Sequence, residues 1–383
     1  MIAFDYQPIT RMVFGPGKLE SLGTLIRELG GSRTLVVSDP GVIAAGHTAR
    51  GLEVLAKAGV ATAVFDGVHE NPSTADVERG RDFAAGFQPD SIIGLGGGSS
   101  MDCAKGINFL LTNGGRMHDY WGVGKAKSPL LPMIAVPTTS GTGSESQSFA
   151  LISDASTHIK MACGDKKAAF KVALLDPVLT VTQPPRVTAL TGIDAIAHAI
   201  ESYVTTKRNA VSQAFSREAW QLLAPSFSIV LRDPQNLAAR GAMQLGACFA
   251  GLAIENSMLG AAHALANPLT AEFGIAHGQA IGLMLPHVVR FNGQTVGDLY
   301  RELLESTGGT GRFPAPAEGV EGLVEFIGEL VVAARLPTRL RDCDVPEERL
   351  PALAEFAAKQ WTGGFNPRPV GTPELLAIYR QAY

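Results

Sequence analysis

Cysteine is scarce and scattered. The 383-residue chain holds four, Cys103, Cys163, Cys248 and Cys343, and no two form a C-x-x-C pair. That excludes a disulfide framework and a thiolate zinc knuckle, and it suits a reducing compartment. A surplus of charge is also missing. The formal net charge is -4 with no long basic run, so no nucleic-acid partner is expected. No uninterrupted apolar run reaches the about 20 residues that a bilayer crossing needs. The opening "MIAFDYQPITRMVFGPG" lacks the charged and apolar regions of a signal peptide. The expectation is a cytoplasmic protein without a membrane partner. What is present is ordinary globular material, 46% hydrophobic and 18% charged, in a chain long enough for two domains.

The first half alternates apolar, β-branched runs with helical stretches. "RTLVVSD" reads as a strand ending at Asp39, followed by a helix from about Ala44 to Ala58. "ATAVFDG" reads as a strand, and "TADVERGRDFAAGF" as a helix starting near Ser73. "SIIGLG" and "LPMIAVPTT" read as further strands, and "KVALLDPVLT" as a late strand returning to the same sheet. This alternation indicates an α/β unit with a mainly parallel sheet. Adjacent prolines, Pro184 and Pro185, then mark a boundary, and apolar residues recur at helical spacing beyond it. The expected architecture is an α/β, Rossmann-like domain with a mainly parallel sheet over 1–183 and an all-helical domain over 184–383.

Two polar loops stand where strands of such a sheet end. "SIIGLGGGSSMDCAKGI" is a strand, a glycine run and a helix start. The first N–H groups of a helix have no partner within it and carry the positive end of its dipole, so they can hold a pyrophosphate. Ser99 is expected to cap this helix, with Asp102 three residues on completing a capping box. The spacing is not the usual dinucleotide fingerprint, whose last glycine would fall on Ser99. By itself the run reads equally well as a turn. "AVPTTSGTGSE" adds Thr138, Thr139, Ser140 and Thr142 after the next strand. Asp39 can accept hydrogen bonds from an adenine ribose and repel a 2′-phosphate, or simply open a turn with Pro40 and Gly41.

In "TGIDAIAHAIESYV", Asp194 and His198 are four residues apart, on one helix face. His263 and His277 follow in "HALANPLTAEFGIAHG". One carboxylate and three imidazoles suit a divalent ion with a position left open. Any one of the four, taken singly, reads as an ordinary core or surface residue. His47, His69, His118 and His158 are read that way, and His287 fits either reading. Trp121, Phe149, Phe249 and Phe365 are candidate pocket walls, although bulky residues at such places are more often ordinary packing.

Together these segments resemble the iron-containing (group III) alcohol dehydrogenases of the dehydroquinate synthase-like superfamily, over essentially the whole chain. The resemblance rests on "FGPGKLESLG", "GGGSSMDCAKGI", "PTTSGTGSE", "TGIDAIAHAIESYV", "HALANPLTAEFGIAHGQAIGLMLPHVVRFN" and "GFNPRPVGTPELLAIYRQAY" in that order. It implies metal ligation by Asp194, His198, His263 and His277, with iron(II) as the metal and zinc(II) as the alternative. It implies pyrophosphate contacts from Gly97, Gly98 and Ser99, and nucleotide contacts from Thr138, Thr139 and Thr142. Asp39 is implied at the adenine ribose and Lys160 at the nicotinamide ribose, with NAD(H) preferred over NADP(H). The implied reaction is reversible hydride transfer between nicotinamide and a small alcohol, aldehyde or ketone, in a homodimer or larger homo-oligomer. Asn267 departs from the pattern: many members have a histidine there, and an amide cannot relay a proton. Maleylacetate reductase-like and glycerol dehydrogenase-like oxidoreductases, and a non-catalytic NAD- or metal-binding sensor, are the competing readings.

Overall fold

The computed structural model describes residues 2–157, 159–307 and 319–383. His158 lies outside them. The chain divides into two compact units. One comprises Gln7–Thr139 and Gly143–Gln183; the other comprises Pro184–Tyr383, Ser140–Thr142 and the segment ending at Tyr6.

The first unit is α/β, as expected. Its strands are β1 (Arg11–Phe14), β2 (Arg33–Val37), β3 (Ala61–Phe65), β4 (Ser91–Gly96), β5 (Gly122–Val123), β6 (Met133–Pro137), β7 (Phe149–Ser153), β8 (Lys160–Gly164) and β9 (Val172–Leu175). Its helices are α1 (Leu22–Glu28), α2 (Pro40–Ala44), α3 (His47–Lys57), α4 (Thr74–Phe87) and α5 (Gly98–Asn113). Six strands form one parallel sheet in the order β1-β9-β6-β4-β2-β3. Ile93 in β4 lies opposite Val36 in β2 and Ile134 in β6. Successive side chains point to opposite faces. Leu35, Val37, Ile92 and Ala135 therefore pack with Val77 of α4 and Ile107 of α5. Val36, Ile93, Ile134 and Leu174 pack with Ile26 of α1 and Leu55 of α3. Burial on both faces is why these strands read as continuous apolar runs.

Three local features go beyond the sequence expectations. The helix expected over about Ala44–Ala58 is α3, and a short separate helix, α2, precedes it, parted from it at Gly46, whose φ is 80°. The opening "RMVF" pairs in parallel with β9 as an edge strand, and β5, β8 and β7 form a second, three-stranded sheet. A two-residue strand such as β5 carries too little alternation to be read.

The second unit is helical: α6 (Pro185–Val204), α7 (Ala210–Arg232), α8 (Leu237–Glu255), α9 (Ala261–Phe273), α10 (His277–Glu305), α11 (Gly319–Ala333), α12 (Leu350–Ala357) and α13 (Thr372–Gln381). α8 is long and apolar enough to cross a membrane by composition, yet 67% of that stretch is buried, as in a core helix. α6 is the central element and packs on α7, α8 and α10. Two glycines permit its close contacts. A side chain at Gly192 would put Cβ 2.2 Å from the Phe227 ring, and one at Gly278 would put it 2.1 Å from the Leu190 carbonyl oxygen. The second contact sets the start of α10 one turn from Asp194. Replacing Gly192 by Ala should therefore displace Phe227 and cost about 1–3 kcal/mol, as overpacking does. Guanidinium unfolding measures it, and an unchanged midpoint would contradict the tight packing.

Candidate metal centre

Asp194 and His198 project from one face of α6, His263 from the first turn of α9, and His277 is the first residue of α10. Their ring nitrogens converge on a single oxygen. The Nε2 atoms of His198, His263 and His277 lie 3.4, 3.4 and 3.5 Å from Asp194 Oδ1. The ligand atoms of Asp194, His263 and His277 all lie within 4.8 Å of one another. His198 joins this group through Asp194, with its ring stacked on that of His263 at 4.9 Å. Asp194, His198 and His263 are each 5% exposed, whereas the His277 side chain keeps 25% of its surface open.

The electrostatics match that crowding. Burial by itself would raise the Asp194 carboxyl, but the imidazoles of His198, His263 and His277 overcome it and hold the group well below the usual carboxylate range. Burial depresses His198, with Asp194 opposing. Burial also acts to depress His263, but Glu201 and Asp194 win and push it up to about 9. The buried Asp194 Oδ1 and His263 Nε2 have no hydrogen-bond partner. Orphaned buried polar atoms are costly, and here they face one point. One anionic oxygen and three imidazole nitrogens are the donor set of a borderline divalent ion, so the residues fit such a metal.

Asn267 lies one turn beyond His263 on α9, half-buried, and donates from Nδ2 to Gln360 Oε1 at 3.0 Å. His287 sits inside α10, where burial and then Arg290 push it down to about 4. Phe249 packs on the helical core and Phe365 meets Trp361 edge-on, while Trp121 is exposed. The sequence reading passed over Glu201, buried to 4% and bonded to His263 Nδ1. Its signal was there: it lies seven residues after Asp194 and three after His198, so all three share a helix face.

In the first unit the polar loops gather at the ends of β4 and β6. The Thr138 N–H bonds the Gly96 carbonyl, and Thr139 sits beside Gly97. Gly96 has φ +154°, and a Cβ there would fall 2.3 Å from Ser100 Oγ. The cap of α5 is not the one expected. Its N-cap is Gly97, with no side-chain cap bond. Ser99 Oγ accepts from the Asn71 N–H at 3.2 Å, and Asp102 accepts from Ser144 at 2.6 Å. Ser99 lies within the first turn, two residues past the N-cap, too far along to cap it. Asp39 does cap α2, accepting from the Val42 N–H, while its other oxygen accepts from Ser100. A carboxylate has about four acceptor sites, so both bonds leave room for a ribose hydroxyl. Lys160 donates to Asn71 Oδ1 at 3.2 Å. Asn71, with φ 54°, thus ties Ser99 to Lys160, and nothing in its sequence neighbourhood announced that. Thr142 belongs with the helical unit.

A parallel α/β unit with an open helix start, and a helical unit built round a carboxylate and three imidazoles, define a two-unit oxidoreductase. Residues 9–177 match the family described as iron-containing alcohol dehydrogenase, and 188–383 its C-terminal family. The chain belongs to the iron-containing alcohol dehydrogenase family, and it is an alcohol dehydrogenase. It is 34% identical over 382 residues to 1,3-propanediol dehydrogenase of Klebsiella pneumoniae, covering 99% of each chain. It is 30% identical over 370 residues to the NAD-dependent methanol dehydrogenase of Bacillus methanolicus, covering 97% of each. A crystal structure of 1,3-propanediol oxidoreductase superposes with a TM-score of 0.95 at 33% identity, over 100% of both chains.

If the four ligands form one site, adding Fe(II), Zn(II) or Co(II) to chelator-treated protein should raise its melting temperature. A ligand at 100 times its dissociation constant stabilises by about 2.7 kcal/mol. Asp194→Ala should lose that shift, and calorimetry with and without metal reads it.

Proposed function

We propose that the protein is an NAD(H)-dependent, metal-dependent dehydrogenase of small alcohols, acting reversibly on the matching aldehyde or ketone. The observation that carries this is the convergence of His198, His263 and His277 on Asp194 Oδ1. A divalent metal held by these four residues, Fe(II) first and Zn(II) as the alternative, would supply Lewis acidity towards an alcohol or carbonyl oxygen. NAD would exchange hydride with the substrate carbon.

The chain's own residues would do the rest. The bare start of α5 at Gly97, Gly98 and Ser99 offers unpaired N–H groups and a positive dipole end to the pyrophosphate. Thr138, Thr139 and Thr142 supply nucleotide contacts, and Lys160, steadied by Asn71, serves the nicotinamide ribose. Asp39 accepts from the adenine ribose hydroxyls and repels a 2′-phosphate, which favours NAD over NADP. Asn267 cannot take up a proton, so its amide orients a substrate or water by hydrogen bonding rather than relaying the proton. Support for NAD also comes from the methanol dehydrogenase relative, whose name states that dependence. We place the enzyme in the cytoplasm, on its four free cysteines, and as a homo-oligomer, on the family resemblance.

An NADH-absorbance screen of small alcohols and aldehydes, on protein loaded with Fe(II), Zn(II) or neither, tests the reading. Turnover should require the metal; activity equal in chelated protein would point to a maleylacetate reductase-like enzyme instead. His263→Ala should abolish metal-dependent turnover while NAD binding, followed by fluorescence titration, persists. Asp39→Gly should gain NADP activity, and an unchanged NAD/NADP ratio of kcat/KM would overturn the role given to Asp39.

A further inference from the structure

The buried carboxylate of Glu201 is not among the four ligands, and its two oxygens do different work. Oε1 accepts the Ala262 N–H at 2.7 Å, and Oε2 meets His263 Nδ1. The first of these answers a need created by the sequence. The N-cap of α9 is Gly260, which has no side chain to satisfy the opening N–H groups. They are satisfied from elsewhere: Ala261 N–H donates to Asn366 Oδ1 at 3.2 Å, and Ala262 N–H to Glu201. Asn366 is fixed in turn by paired amide bonds with Asn292, at 3.0 and 2.7 Å. A Cβ at Gly260 would sit 3.0 Å from Asn366 Oδ1 and 3.1 Å from Glu201 Oε1, so the glycine lets both acceptors reach the helix end.

Glu201 is therefore anchored by the backbone of the same helix turn that carries His263. With Nδ1 held against a carboxylate, the ring has one orientation, and its Nε2 faces Asp194 Oδ1 at 3.4 Å. An imidazole that gives its second N–H to a carboxylate is fixed in tautomer and becomes a stronger metal donor.

We propose that Glu201 is the positioning residue of the metal centre: it caps α9 in place of Gly260 and, through the same carboxylate, sets the tautomer and direction of His263. Glu201 touches neither substrate nor cofactor in this role, and the inference rests on the metal-centre reading above.

Co(II) binding to chelator-treated full-length protein, titrated against a competing chelator, is the test. Glu201→Gln keeps the shape and removes the charge. Its dissociation constant should rise about 10–100-fold, as for other carboxylates bonded to ligating histidines. Metal-free Glu201→Gln should melt within a few degrees of wild type, and Glu201→Asp should recover part of the affinity. Unchanged affinity in Glu201→Gln would reduce Glu201 to a helix cap and overturn the proposal. If wild type binds no Co(II) while binding NAD, the metal-centre reading itself fails and takes this proposal with it. Should Glu201→Gln not fold, nitrogen-15 imidazole spectra of the Zn(II)-loaded wild type decide the matter. His263 should show a protonated Nδ1, and a protonated Nε2 would overturn the assignment.

Discussion

A carboxylate taken out of water among three imidazoles is the constraint around which the helical unit is arranged. Asp194 is 5% exposed and faces no lysine or arginine within salt-bridge distance among the described residues. An isolated buried carboxylate would neutralise or unfold its surroundings. Here positive charge comes only from imidazoles, which are weak bases and also good metal donors. The chemistry of the cluster thus leans towards a cation, and the fold must deliver side chains from three separate helices to one oxygen. The glycines that allow this, Gly192 against Phe227 and Gly278 against Leu190, sit two residues before Asp194 and one after His277. Close helix approach and ligand geometry are in that sense the same requirement.

The α/β unit solves a different problem with similar economy. A helix beginning directly after a central parallel strand presents its positive end at the carboxyl edge of the sheet. In most helices a Ser, Thr, Asp or Asn side chain would occupy that end. In α5 it is left bare, because the N-cap is Gly97, which has no side chain. Beneath it, buried Lys105 donates to Ser144 Oγ and to the carbonyls of Ser144 and Phe149, each at 2.8 Å. Those bonds hold the chain beyond the second polar loop against α5. An ammonium with three good acceptors and a carboxylate, Asp102, at 3.8 Å can be buried.

Much of this was legible in one dimension. Apolar runs bounded by glycine and proline marked the buried strands, and α4 began at Ser73 with the capping box its sequence spells out. The D-x-x-x-H spacing put Asp194 and His198 on one helix face. Features that hang on a partner distant in sequence were not legible. Glu201 and His263 are 62 residues apart, Asn366 and Ala261 are 105 apart, and Lys105 reaches acceptors about 40 residues on. No local pattern tells a buried glutamate bonded to a histidine from one that faces solvent. The cap of α5 went astray for another reason: Ser99 and Asp102 had the right spacing, but the helix already begins at Gly98, which leaves Ser99 inside its first turn.

The sequence by itself determined most strands of the large sheet and the long helices, the switch from alternating α/β to helical character, and the residue types able to bind nucleotide and metal. Periodicity and turn chemistry act over a few residues, so a linear reading captures them. Only the tertiary structure decided that the imidazoles of His198, His263 and His277 meet at Asp194 Oδ1, that Glu201 stands behind His263, and that α5 starts uncapped. Each depends on which of several chemically suitable partners packing brings within about 3.5 Å and in line, and polar contacts discriminate only at that range and angle.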